Sequence, residues 1–178
     1  EQLQSLFTEF KGHEFTRSAF DAAWWDAHAL ACTEPLWSLI GGVNQTISVG
    51  ADIPVLSSTS ALIDRISEAI NQGFPRVKLK FNRSCTVGMI ERVRSNFPNL
   101  AMHIDCNSGF SLVDIEFFKE LDELNLAMIE QPLAHDDLIF HAELQSKLKT
   151  PSCLDESITS VDRVRKAIDI ACRLYTSD

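Results

Sequence analysis

The chain has 178 residues, 45% hydrophobic and 23% charged, with a net charge of −9. That is ample apolar material for one folded domain, and the acidic balance excludes a general nucleic-acid surface, which needs clustered Lys and Arg. No stretch approaches the roughly 18 uninterrupted apolar residues that span a bilayer.

In chain order, residues 16–30 are predicted as a helix, with Thr16 placed as its N-cap. Gly41-Gly42 breaks the chain before a short β-like run at 46–49. Residues 57–72 show helical spacing at Leu62, Ile63, Ile66, Ala69 and Ile70, and Gly73 ends that helix. Residues 76–81 alternate as a strand, and 87–97 form a helix that Pro98 stops. A strand at 101–105 is followed by a helix from Ser111, a strand at 126–130 and a helix at about 136–148. The last pair is a strand at 152–155 and a helix at 160–171. Ser111 and Ser160 stand where N-caps belong, because a hydroxyl can accept from the orphan backbone N–H groups of a helix start. Short apolar strands alternating with amphipathic helices predict parallel βα units.

The most informative feature is a repeat of position. Lys80, Asp105, Glu130 and Asp155 each fall at the C-terminal end of a predicted strand, at a constant spacing of 25 residues. One strand, one helix and two short loops take about that length. In a parallel barrel such strand ends converge at one mouth, where catalytic residues come from several strands. Three carboxylates brought together raise each other's pKa unless a cation lies between them. Oxygen-only donors, with no His or Cys in the spacing, favour Mg²⁺, with Mn²⁺ as a substitute. A lysine beside such a cation gives up its proton more readily and can serve as a base.

At these positions the sequence resembles the enolase superfamily. Val77-Lys78-Leu79-Lys80 is similar to its Lys-x-Lys strand and Asp105-Cys106-Asn107 to its Asp-x-Asn. Ile129-Glu130-Gln131-Pro132 is similar to its Glu-Gln-Pro, and Leu154-Asp155-Glu156-Ser157 to its Asp-Glu-Ser. Asp136-Asp137-Leu138, His141-Ala142-Glu143-Leu144-Gln145 and Thr150-Pro151 resemble the group of o-succinylbenzoate synthases and N-acylamino acid racemases within it, a muconate-lactonizing-like subgroup. Trp24-Trp25-Asp26 and Gly41-Gly42 resemble the segment leading from that family's capping domain into its barrel.

The resemblance implies an α/β fold, a partial TIM-type (β/α) barrel with about five of eight βα units and a remnant of the N-terminal capping domain. Residues 1–45 would end the cap and supply the lead-in helix, 46–173 would be the partial barrel, and 174–178 a non-matching tail. Asp105, Glu130 and Asp155 would bind Mg²⁺, and Lys80 would be the catalytic acid/base. Lys78 would support Lys80 or a substrate carboxylate, while Asn107 and Glu156 would contact substrate or support the metal ligands. A lysine base paired with Mg²⁺ is an arrangement already known for enolase-superfamily sites, which abstract a proton next to a carboxylate and hold the enediolate. The implied activity is a carbon–oxygen lyase: dehydration of 2-succinyl-6-hydroxy-2,4-cyclohexadiene-1-carboxylate in menaquinone biosynthesis. An N-acylamino acid racemase or dipeptide epimerase uses the same carboxylates and stays open, as does an inactive truncated fragment.

Other residues read more plainly. His103 is expected to be a packed, hydrogen-bonded histidine, Trp24 and Trp25 packing residues, and Gln131-Pro132 a strand stop. Cys32, Cys85, Cys106, Cys153 and Cys172 are odd in number and lack a C-x-x-C pair, which suits reduced thiols of a cytoplasmic protein. Glu1-Gln2-Leu3-Gln4 lacks the basic and apolar regions of a signal peptide. The expected partner is a small carboxylate substrate, with neither nucleic acid nor membrane, and with a homo-oligomer left open at full length. Ala171-Cys172-Arg173 begins like the family's sixth strand, but residues 174–178 lack that strand's second catalytic lysine. The chain as it stands is therefore expected to be inactive.

Overall fold

The computed structural model describes residues 2–7, 10–43 and 45–170. The sequence readings at Cys172, Arg173 and the 174–178 tail lie outside them. Two compact units divide between Ile47 and Ser48. Among the described residues, no helix is long and apolar enough to cross a membrane.

The first unit contains α1 (Gln2–Phe7), α2 (Glu14–Cys32) and α3 (Leu36–Leu39). The expected 16–30 helix is present but opens earlier, so Thr16 lies inside its first turn. His13, at φ 58 and ψ 38, takes the N-cap position without a side-chain cap. Glu14 then opens the helix, where a carboxylate is favoured by the partial positive charge of the N-terminus. Trp24 stacks on His28 at 5.1 Å and meets Trp25 edge-on at 5.0 Å.

The second unit alternates strand and helix. Its elements are β1 (Ala51–Ile53), α4 (Thr59–Asn71), β2 (Arg76–Lys80), α5 (Val87–Asn96) and β3 (Ala101–Asp105), then a 3-10 turn (Leu112–Asp114) leading into α6 (Ile115–Asp122). β4 (Ile129–Glu130), α7 (Leu138–Gln145), β5 (Ser152–Cys153) and α8 (Val161–Asp169) follow. The five strands are all parallel and lie side by side in chain order. That is the winding of a (β/α) barrel, one unit at a time. Side-chain caps start several of the helices: Ser58 accepts from Ala61 N–H at 3.2 Å, Thr86 from Met89 at 3.3 Å, Asp137 from Phe140 at 2.9 Å and Ser160 from Arg163 at 3.2 Å. Each such cap is worth about 1 kcal/mol. At Ser111 the carboxylate of Asp114 reaches back to the backbone N–H, 2.9 Å away. Gly73, at φ 90, closes α4 in the left-handed conformation that glycine takes without strain.

Two expectations about strands need correction. The alternating run at 46–49 is not a strand; its Ile47 and Val49 are exposed, and pairing begins at Ala51, opposite Val77. The reason is the start of β2 at Arg76, which by the register leaves residues 46–49 with no strand opposite them. The strands expected at 126–130 and 152–155 shorten to two residues each. Their approaches keep single ladder bonds, Ala127 N–H to Met102 O at 2.8 Å and Ile129 N–H to Pro151 O at 2.9 Å.

Register separates the two faces of the sheet. Ile53, Val77, Leu79, Met102, Ile104 and Ile129 are buried in one core with Leu62 and Ile66 of α4, Ile90 and Val93 of α5, and Phe118 and Leu121 of α6. Side chains alternate along a strand, so Lys78 and Lys80 face the other way, with their register partners His103 and Asp105. At the opposite end of the strands, the Arg94 guanidinium donates to carbonyls of Leu124, Phe97, Pro98, Leu100 and Asn125 at 2.6–3.3 Å. Those carbonyls lie in the turns that lead into β3 and β4, so one planar cation satisfies acceptors from two loops at once.

Candidate active site

Strand register builds the site. Lys80 pairs with Asp105, Asp105 with Glu130, and Glu130 with Cys153, each at or near the C-terminal end of its strand. Parallel partners in register point to the same side, so the polar groups form a row across β2, β3, β4 and β5. Lys80 Nζ donates to Asp105 Oδ2 at 2.7 Å and to Asn107 Oδ1 at 2.9 Å. Lys78 Nζ lies 2.8 Å from Asp105 Oδ2 and donates to Glu130 Oε1 at 2.7 Å. His103 Nε2 stands 3.3 Å from Glu130 Oε2. The structure thus brings Lys78, Lys80, Asp105, Asn107 and Glu130 together, and buries His103 beside them.

Glu156 joins through Asn107, whose Nδ2 donates to Glu156 Oε1 at 3.0 Å. The other oxygen of that carboxylate, Oε2, is buried and has no hydrogen-bond partner among the described residues. Asn107 and Ser108 both take positive φ, 41 and 63. Such strained backbone is concentrated at functional sites, and here it turns the Asn107 amide to meet the Lys80 ammonium and the Glu156 carboxylate.

The charges settle in opposite directions. Burial works against the Asp105 carboxylate, but hydrogen bonds from Lys78 and Lys80 outweigh it and hold its pKa below the usual range. Glu130 is also held low: burial opposes ionisation, and His103 and Lys78 overcome it. Burial likewise opposes the charge on Lys78, yet its bonds to Asp105 and Glu130 push its pKa above the ordinary lysine value. Asp155 is pushed up by the protein packed around it and by repulsion from Glu156, Glu130 and Asp105. Burial raises the Cys106 thiol well above its usual value and lifts Cys153 to about 11. Neither thiol is poised as a nucleophile at neutral pH.

The three carboxylates expected to share an ion are not gathered to that closeness. Among the described residues, no three His, Cys, Asp or Glu side chains form a group that could hold a metal ion. The physical reason is local: the Lys78 ammonium stands between Asp105 and Glu130, and Asp155 sits two residues beyond β5 on an exposed turn. The donor chemistry nevertheless suits a hard divalent cation. All three groups are carboxylates, Asp105 and Glu130 on neighbouring strand ends and Asp155 just past the next, and Asp155 already feels Glu130 and Asp105 as repulsion that a cation would relieve.

Gln131 was read as part of a strand stop and does more than that. It is fully buried, and its side chain ties the Asp155 turn to the end of β4. The sequence offered one signal, a carboxamide directly after a strand-end carboxylate, but its burial depends on α7 and the β5 turn closing over it.

His141 packs against the same amide. Its Nδ1 is 2.5 Å from the Asp137 carbonyl, and its Nε2 accepts from Leu133 N–H at 3.2 Å. An acceptor at Nε2 requires the neutral ring with its proton on Nδ1. Burial holds the His141 pKa below its ordinary value. The unfolded chain takes up that proton near pH ~6.5 while the folded chain resists it, so the contribution is whole above that pH and is lost as pH falls. The urea midpoint should therefore drop between pH 7.5 and 5.5, and His141→Gln should show a smaller drop. An equal drop in the variant would remove His141 from the account.

Residues 61–174 match the family model described as enolase C-terminal domain-like. The chain is 41% identical over 175 residues to an o-succinylbenzoate synthase of Geobacillus stearothermophilus, covering 98% of the chain and 47% of that protein. It is 38% identical over 170 residues to an N-succinylamino acid racemase of Thermus thermophilus, covering 96% of the chain and 46% of the relative. Among solved structures, an enolase-superfamily member from Listeria innocua superposes with a TM-score of 0.83 at 37% identity, covering 96% of this chain and 46% of that one. The chain thus spans about half the length of the curated relatives it matches.

Proposed function

The chain belongs to the enolase C-terminal domain-like family, and from that premise we propose that its full-length protein is a Mg²⁺-dependent o-succinylbenzoate synthase. The observation that carries this reading is the polar row: Lys80 at the end of β2, in register with Asp105 and then Glu130 on the next two strands. The 41% identical o-succinylbenzoate synthase of Geobacillus stearothermophilus supports it, as does the Mg²⁺ known at enolase-superfamily sites.

Asp105, Glu130 and Asp155 would hold the cation. Bound there, Mg²⁺ would supply positive charge to the substrate carboxylate and so make its α-proton easier to remove. Lys80, as the neutral amine, takes that proton from carbon and becomes the ammonium, then delivers the proton to the departing hydroxide, so that a C–H and a C–O bond break, a C=C bond forms and water leaves. Asn107 holds the Lys80 ammonium through its amide oxygen, and Glu156 fixes which end of the amide faces the lysine. Lys78 places its ammonium between Asp105 and Glu130, which suits it to hold the carboxylates or the substrate rather than to carry protons.

A second reading, an N-succinylamino acid racemase, draws on the 38% identical relative of that name. One experiment separates the two. The full-length protein is assayed for dehydration of 2-succinyl-6-hydroxy-2,4-cyclohexadiene-1-carboxylate and for racemisation of N-succinylamino acids, each with Mg²⁺ and with EDTA. The proposal expects dehydration that EDTA abolishes. Racemisation alone would favour the second reading, and turnover undiminished by EDTA would remove the metal from both.

A further inference from the structure

Of the residues near the site, Gln131 has the most completely used side chain. Its Oε1 accepts from the backbone N–H of Asp155 at 2.9 Å and of Ser157 at 3.2 Å. A backbone N–H can only donate, so that atom must be the oxygen, which settles the amide orientation. Its Nε2 donates to Ser157 Oγ at 2.7 Å and to the Leu133 carbonyl at 3.2 Å, with His141 Nε2 3.4 Å away. The backbone of Gln131 is equally committed. Its N–H donates to Cys153 O at 2.8 Å, and its carbonyl accepts from Ser108 N–H at 2.8 Å. One residue therefore joins the end of β4 to the turn after β3 and to the turn after β5.

It does so at a cost. Gln131 holds φ 38, a left-handed conformation that is disfavoured for a residue with a side chain. A strand stop does not require that conformation or a buried carboxamide. Asp155, the remote member of the carboxylate set, lies on an exposed turn beyond the last paired residue of β5. Its backbone N–H is one of the two that Gln131 binds.

We propose that Gln131 is a positioning residue that sets Asp155 for a divalent cation, by clamping the turn that carries it onto the end of β4. The inference rests on the reading of Asp105, Glu130 and Asp155 as ligands. It adds that their affinity depends on a neutral, buried amide that touches neither cation nor substrate. Groups that orient metal ligands in this way typically change affinity by about 10–100-fold when removed.

The test uses the full-length protein with Gln131→Met, which keeps the length and apolar bulk of the side chain and removes every side-chain hydrogen bond. Mn²⁺ affinity is measured by calorimetry without substrate, alongside thermal unfolding and hydrogen exchange at the Asp155 and Ser157 amides. The expected result is Mn²⁺ binding weakened by about 10-fold or more, with faster exchange at those two amides and a still-cooperative unfolding transition. A merely structural role would lower the transition temperature and leave the folded protein's Mn²⁺ affinity within twofold, and that outcome overturns the proposal. Should Gln131→Met fail to fold, Ser157→Ala, which removes only the hydroxyl partner of the amide, is held to the same comparison. If the parent binds no Mn²⁺, the ligand reading fails by itself. Positioning for a cation falls with it, and exchange then decides only the tie between the turns: protection at Asp155 and Ser157 lost in the variant keeps that tie, and unchanged protection overturns it too.

Discussion

Lys80→Ala in the full-length protein should lower kcat for dehydration by about 10²–10⁴-fold, the usual worth of a positioned acid/base, while divalent-cation affinity changes little. The side chain removed donates to Asp105 and Asn107 but supplies no oxygen donor. Asp105 keeps its Lys78 partner at 2.8 Å and so stays ionised. The loss should therefore fall on turnover and not on binding, the pattern of an interaction realised in the transition state. A variant turning over within threefold of the parent would end the assignment of Lys80.

The largest effect on stability is expected at Phe118. It is fully buried under the sheet, edge-on to Phe110 at 5.3 Å and to Phe117 at 5.9 Å. Phe118→Ala removes a ring that its neighbours cannot replace, and such a cavity typically costs about 3–5 kcal/mol. Against a total stability of about 5–15 kcal/mol, that approaches unfolding. Urea titration of the full-length protein checks it, with Val113→Ala as the control, since Val113 is 86% exposed. A Phe118→Ala midpoint no lower than that of Val113→Ala would mean the aromatic cluster relaxes to fill the space.

How much of this could be read from the sequence depended on where each interaction partner lies. β2 and β3 were legible because alternation along five residues fixes both faces, and Lys78 and Lys80 fall on the polar one whatever the neighbours do. The run at 46–49 alternates equally well, yet it is no strand, because a strand needs a partner and β2 does not extend far enough to provide one. The 25-residue spacing identified Lys80, Asp105 and Glu130 as a row. It could not show that Asp155 would fall on a turn past the end of β5, since spacing counts residues and not the length of a ladder. Nor could it find Gln131, whose hydrogen bonds reach residues two to 26 positions away.

The division of the sheet into an apolar and a polar face also guards how the chain assembles. If β2 slid by one residue against β3, every side chain on it would change sides. Lys78 and Lys80 would then point into the layer occupied by Ile66, Ile90 and Phe118, and Leu79 would be turned toward the carboxylates. Two unpaired ammonium groups among apolar helices are far more costly than any contact the slipped pairing could offer. The charged row thus makes wrong alignments of the sheet self-rejecting, and the polar face of the sheet doubles as a proofreading device for folding.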